Sequence, residues 1–128
     1  VRAIRTDEWE VLREAAVAAA ARAYCPYSGL GVGAAAQCED GRVVVGCNVE
    51  NGSYGLTLCA ECTLAGQLRL TGEGRFSAVA CRDGGGRLLM PCGRCRQLLL
   101  ELGGPECLVD TPRGALPVRE LLPEAFEL

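Results

Sequence analysis

Helical and strand-like segments alternate along this chain, which predicts an α/β domain. Three observations carry that prediction: an amphipathic helix near the start, a hairpin signal after it, and apolar strand-like runs interleaved with two further helical patterns. The 128 residues are the usual size of one domain with a core of its own, so residues 1–128 are read as a single unit.

Asp7 to Ala23 reads as the first helix, with Asp7 and Glu10 as its cap and Trp9, Leu12, Ala16, Ala19 and Ala23 at spacings of three and four. Tyr24 to Gly29 is a turn. Leu30 to Cys38 and Arg42 to Cys47 are two strands joined through Glu39-Asp40-Gly41. The run Gly31-Val32-Gly33-Ala34-Ala35-Ala36 has poor strand propensity, so its small side chains imply that something packs very closely on it. A second helix runs from near Leu58 to Thr71, with Leu58, Cys62, Ala65 and Leu68 as its apolar stripe. Phe76 to Cys81 is a buried strand, and a third helix starts at Cys92 and stops at Gly103-Gly104. Cys107 to Asp110 is a short strand, and a last helical turn covers Val118 to Leu122.

Composition narrows the function. A net charge of -3 disfavours sequence-independent binding to nucleic acid, which needs a basic surface. The apolar run Ala15 to Ala21 is about a third of a membrane span, and the first residues hold no apolar signal segment. The expectation is a cytoplasmic protein with no membrane partner. Nine cysteines without an export signal read as thiols, available as metal ligands or small hydrophobes. There is no histidine. A Ser-His or Cys-His nucleophile pair is therefore excluded, and proton transfer near neutral pH falls to a carboxylate, a thiol, an amine or a metal-bound water.

Two segments stand out, Cys59-Ala60-Glu61-Cys62 and Pro91-Cys92-Gly93-Arg94-Cys95. Paired CxxC motifs in a reducing compartment signal zinc. One arrangement is a closed four-cysteine structural site, although the pairs stand farther apart than the roughly 15 to 20 residues usual for it. The other takes Cys59, Cys92 and Cys95 as ligands, leaves the fourth position to water, and sets Glu61 beside it to move protons. Both segments open helices, whose positive ends, with Arg94 or Arg96, can offset the charge of three thiolates. Cys25, Cys38, Cys47, Cys81 and Cys107 read as packing residues.

These motifs resemble the cytidine deaminase family, in its small homotetrameric branch with three cysteine ligands. The likeness runs from Ala23-Tyr24-Cys25-Pro26-Tyr27-Ser28 through Val32-Gly33-Ala34-Ala35, Gly46-Cys47-Asn48-Val49-Glu50-Asn51 and the two cysteine segments to Leu121-Leu122-Pro123-Glu124-Ala125-Phe126. The resemblance implies a three-layer sandwich, with a mixed five-stranded sheet between helices. It implies zinc on Cys59, Cys92 and Cys95, and Glu61 as proton shuttle, the known chemistry of zinc deaminases. Asn48 and Glu50 match the pair that holds the ribose, Tyr54 lies in the same nucleoside-binding stretch, and Ala60 and Leu30 are placed against the substrate. Phe126 matches an aromatic that enters a neighbouring subunit's pocket in a homotetramer with shared active sites. The implied reaction converts cytidine, and deoxycytidine, to uridine and deoxyuridine with release of ammonia, in pyrimidine salvage. An anionic Glu50 would repel a phosphate, which favours a free pyrimidine nucleoside over nucleotides or nucleic acid.

Two positions depart from the family pattern. Cys62 stands where an arginine commonly offsets thiolate charge, so an arginine near Cys95 is expected to compensate. Leu30 stands where phenylalanine is usual, which keeps an apolar wall but removes an aromatic contact. Deaminases of cytosine antibiotics or modified nucleosides, editors of nucleic-acid bases and a purely structural zinc module are the alternatives.

Overall fold

In a computed structural model, which describes residues 3–128, the opening helix α1 spans Thr6–Ala20. Its cap is not the expected Asp7 with Glu10. Arg5 takes the N-cap position and its backbone N–H donates to Glu8 Oε1 at 3.0 Å, while Glu10 pairs with Arg13 at 2.9 Å. Register explains the change: the capping carboxylate stands three residues after the cap, and Glu8 does so once the helix starts earlier. The helix also stops short of Ala23, because Tyr24 leaves to pair beside Val49, its N–H donating to Asn48 O at 3.0 Å.

Strands β1 (Val32–Cys38), β2 (Val43–Cys47), β3 (Phe76–Asp83), β4 (Leu108–Thr111) and β5 (Gly114–Pro117) form one sheet in the order β2-β1-β3-β4-β5. β1 is antiparallel to both β2 and β3, β3 is parallel to β4, and β4 is antiparallel to β5. The sheet is therefore mixed and five-stranded. The parallel pair needs a crossover, which helix α3 (Gly93–Gly103) supplies. Residue patterning alone does not reveal β5. It is four residues long and owes its strand form to pairing with β4 across a tight turn that ends at Gly114, φ 92.

Alternation along the strands sorts side chains to two faces. Ala35, Ala78 and Ala80 meet Trp9, Leu12 and Ala16 of α1. Ala34, Ala36, Val79 and Cys81 meet the other layer, where α2 (Ala60–Thr71) contributes Leu64 and Leu68, α3 contributes Leu99, and the short α4 (Val118–Leu121) contributes Val118. Burying each such leucine contributes about 2 kcal/mol, so the three-layer sandwich has a core on both sides of the sheet.

The small residues of β1 and β2 let the helices approach. A Cβ on Gly33 would stand 1.8 Å from Ala16 O, and one on Gly46 would stand 2.4 Å from Leu64 N and 2.5 Å from Ala60 O. The first turn of α2 thus rests directly on β2. Thr63 clamps it there, its hydroxyl donating to Cys47 O at 2.8 Å and accepting from Cys47 N at 2.9 Å.

α2 begins later than expected and turns a different stripe inward. Leu58 is exposed and pairs through its backbone with Val49, so the helix starts after Cys59. Its buried residues are Ala60, Glu61, Leu64 and Leu68, and Cys62 lies at the edge facing α3. Among the described residues, no helix is long and apolar enough to cross a membrane.

Candidate active site

Cys59 and Cys92 are the N-cap residues of α2 and α3, and Cys95 falls in the first turn of α3. Packing the two helix starts together collects their sulfurs: Cys59, Cys92 and Cys95 Sγ all lie within 4.8 Å of one another, and Cys59 and Cys92 Sγ are 3.9 Å apart. Tetrahedral zinc with Zn–S bonds of about 2.3 Å sets its sulfurs about 3.8 Å apart, so the donor set fits that ion in chemistry and in size. Cys62 is not part of the cluster. The helix starts supply free N–H groups and positive dipole ends that favour thiolates.

Arg94 Nη2 lies 3.5 Å from Cys59 Sγ, 3.7 Å from Cys62 Sγ and 3.1 Å from the carbonyl of Thr57, to which it donates. A cation in the first turn of a helix is opposed by the helix dipole; the sulfurs are what favour it here. Of the two arginines expected to compensate, this is the one in place. Arg96 is committed to the carbonyls of Pro91 and Leu121, each at 2.9 Å.

The thiols differ in acidity. Burial, reinforced by the charge of Glu61, pushes Cys95 far up, and burial raises Cys59 against the opposing bond from Arg94. Burial also acts upward on Cys92, but hydrogen bonds from the Cys95 backbone and from the Cys95 and Cys59 thiols outweigh it and bring Cys92 below its ordinary value.

Glu61, the second residue of α2, is 4% exposed. The Cys81 thiol lies 3.5 Å from its Oε2. Leu30, Asn48, Cys59, Ala60, Glu61 and Cys92 all line one cavity of about 260 Å³. Asn48 is tied into its wall: Oδ1 accepts from Val32 N at 2.8 Å and Nδ2 donates to Leu30 O at 2.9 Å.

Glu50 and Tyr54 line a neighbouring hollow of about 230 Å³ with Tyr27 and Ser28; Thr57 borders both spaces. The Glu50 carboxylate accepts from the backbone of Tyr27 at 3.0 Å and of Ser28 at 3.1 Å, and from the Ser28 hydroxyl. That hydroxyl bond, then the backbone bonds, hold its carboxyl below the usual range. Phe126 stands apart from both, 71% exposed beside α3, its carbonyl accepting from Gln97 Nε2 at 3.1 Å.

Residues 6–111 match the family model for the cytidine and deoxycytidylate deaminase zinc-binding region. The chain belongs to this family. It is 60% identical over 121 residues to a cytidine deaminase of Mycobacterium tuberculosis, covering 94% of this chain and 91% of that one. It is also 40% identical over 126 residues to a cytidine deaminase of Halalkalibacterium halodurans, covering 91% of this chain and 92% of that one. The crystal structure of cytidine deaminase from M. tuberculosis superposes with a TM-score of 0.92 at 60% identity, covering 94% of this chain and 98% of that one. For the Mycobacterium leprae enzyme the TM-score is 0.88 at 56% identity, covering 91% and 98%.

For a cytidine deaminase-family cavity, the residues missing from the sequence reading are Val32, Thr57, Cys81, Leu89 and Met90. Leu89 and Met90 carried a signal, since they run directly into Pro91-Cys92. Cys81 carried a weaker one: it is inward-facing on a strand, which patterning cannot tell from packing. Cys38 and Cys107 are the buried packing residues expected, with Cys107 pushed up to about 12 by burial.

Proposed function

We propose that this chain hydrolyses the exocyclic amine of free cytidine, and of deoxycytidine, to give uridine or deoxyuridine and ammonia, as a cytoplasmic step of pyrimidine salvage. The observation that carries the reading is a three-sulfur cluster of which Cys59 and Cys92 line one cavity together with the buried Glu61. Cys59, Cys92 and Cys95 are the zinc ligands. Zinc held by these residues would supply Lewis acidity that makes a bound water acidic near neutral pH. Glu61 accepts a proton from the attacking water and delivers one to N3 of the pyrimidine, which makes C4 electrophilic. It then takes the remaining proton from the oxygen now bonded to C4 and gives it to the amino group as the C4–N bond breaks and the C4 carbonyl forms. The water oxygen stays on C4 and ammonia leaves, so one carboxylate serves as base and then as acid.

Arg94 offsets thiolate charge in place of the arginine that Cys62 replaces. Asn48 and Glu50 hold the ribose hydroxyls, with Tyr54 beside them and Ala60 and Leu30 against the base. Negative Glu50 turns away phosphate, so nucleosides are bound and nucleic acid is not. The exposed Phe126 completes the pocket of another subunit in a homotetramer. One observation favours a second reading: Leu30, 45% exposed, lines the cavity where the family usually carries phenylalanine, and the smaller side chain suits a modified cytosine nucleoside or antibiotic. Ammonia release by the purified, zinc-loaded protein from cytidine, deoxycytidine and a cytosine antibiotic tests both. Preferred turnover of cytidine and deoxycytidine is expected; preference for the antibiotic supports the second reading, and no release from any of them overturns both.

A further inference from the structure

Cys81 lies on β3, which is flanked by β1 and β4, and it shares the α2-facing side with Val79. Its Sγ is 3.5 Å from Glu61 Oε2, and among the described residues no other hydrogen bond to the Glu61 carboxylate is formed. The thiol also borders the cavity containing Glu61, Cys59 and Cys92. An aliphatic side chain at this place would remove the one protein donor to this carboxylate among the described residues.

We propose that Cys81 is a positioning residue whose thiol holds the Glu61 carboxylate plane in the orientation that proton transfer requires. The proposal rests on the deaminase reading. A glutamate ends in a broad, two-fold torsion, so the backbone of α2 does not by itself orient the carboxylate. The central strand is rigid by comparison, because both its edges are paired. A thiol is a weak donor, so it fixes the carboxylate without competing strongly for the oxygen that must reach the pyrimidine. Burial, with the charge of Glu61, raises Cys81 well above its ordinary value, and the group stays protonated as a donor.

Two variants separate positioning from packing. Cys81→Val fills the place with a somewhat larger apolar side chain and removes the donor; Cys81→Ser keeps a donor on a somewhat smaller one. With cytidine and zinc-loaded protein, Cys81→Val is expected to lower kcat about three- to tenfold, the size of one weak hydrogen bond, with KM, bound zinc and melting temperature little changed. Cys81→Ser is expected to keep kcat within about twofold of wild type. Full kcat in the valine variant, or equal losses in both, overturns the proposal. Should the valine variant not fold, Cys81→Ala serves as the donor-free form. Infrared spectroscopy gives a readout apart from activity. The S–H stretch in the difference between wild type and Cys81→Ser should lie at the lowered frequency of a hydrogen-bonded thiol and move up in Glu61→Ala; a band that does not move contradicts the contact. A wild-type protein that releases no ammonia would overturn the deaminase reading instead.

Discussion

Cys81 and Arg82 are neighbours on β3, and they meet two carboxylates on opposite faces of the sheet. On the α1 face, Asp110 of β4 accepts from Arg82 and from Arg13, whose Nε and Nη2 reach it at 2.9 and 3.2 Å. On the α2 face, Glu61 has a single thiol. Although burial pushes the Asp110 carboxyl up, its two arginines outweigh that and hold it below the usual range. Its three side-chain hydrogen bonds join α1, β3 and β4. Glu61 is equally buried, yet the guanidinium nearest its cluster, Arg94, is directed at sulfur and at the Thr57 carbonyl. The contrast separates a carboxylate that ties three elements together from one that makes a single weak contact with the protein.

The largest effect should follow from removing the carboxylate proposed as the proton shuttle. Glu61→Gln is expected to keep bound zinc and lose roughly 10²- to 10⁴-fold in kcat, measured as ammonia release; substantial turnover would move the shuttle elsewhere. Asp110→Asn should do the reverse. It is expected to cost about 3 kcal/mol, a fall of roughly 10 °C in Tm, with kcat of the folded protein unchanged. The sign of the pH effect follows from the lowered carboxyl. The stabilisation is present above the ordinary carboxylate value of about 3.9 and is lost as pH falls through the native one, so the wild-type Tm should drop more steeply than that of Asp110→Asn in that acid window.

Arg94 sharpens the comparison from the metal side. Arg94→Ala is expected to weaken zinc retention about 10- to 100-fold against a chelator, and adding Cys62→Arg to that variant should restore part of it. Unchanged retention would leave charge offset to the helix ends alone. The smallest effect is expected at the sugar side, where Glu50→Gln should raise KM for cytidine about three- to tenfold with kcat nearly constant. An unchanged KM would mean that Glu50 serves only to brace the Tyr27–Ser28 turn.

How much of this was legible in the sequence depended on how local the geometry is. Cys59 and Glu61 are two residues apart at a helix start, so their spacing alone sets them side by side, and Cys92 and Cys95 repeat the device on α3. The glycine and alanine of β1 announced the close approach of α1, and Gly33 against Ala16 accounts for it. Longer-range placement was harder to read. The cap lies two residues earlier than expected, at Arg5 and Glu8, and the inward stripe of α2 is turned to Ala60, Glu61, Leu64 and Leu68, while pairing of Tyr24 and Leu58 with Val49 ends α1 early and starts α2 late. β5 exists through its partner strand, and the separation of Glu50 and Tyr54 from Glu61 is set by the fold of the intervening loop. Cys81 packs in the core as expected, and its added contact with Glu61 across the layer leaves no trace in periodicity.

On the proposed function, three sulfurs and not four hold the metal. The most direct measurement is zinc content per chain together with ammonia release from cytidine in Cys62→Ser. One zinc per chain with turnover close to wild type is the predicted result. Loss of the metal with unfolding would show that Cys62 closes the site and would contradict the account.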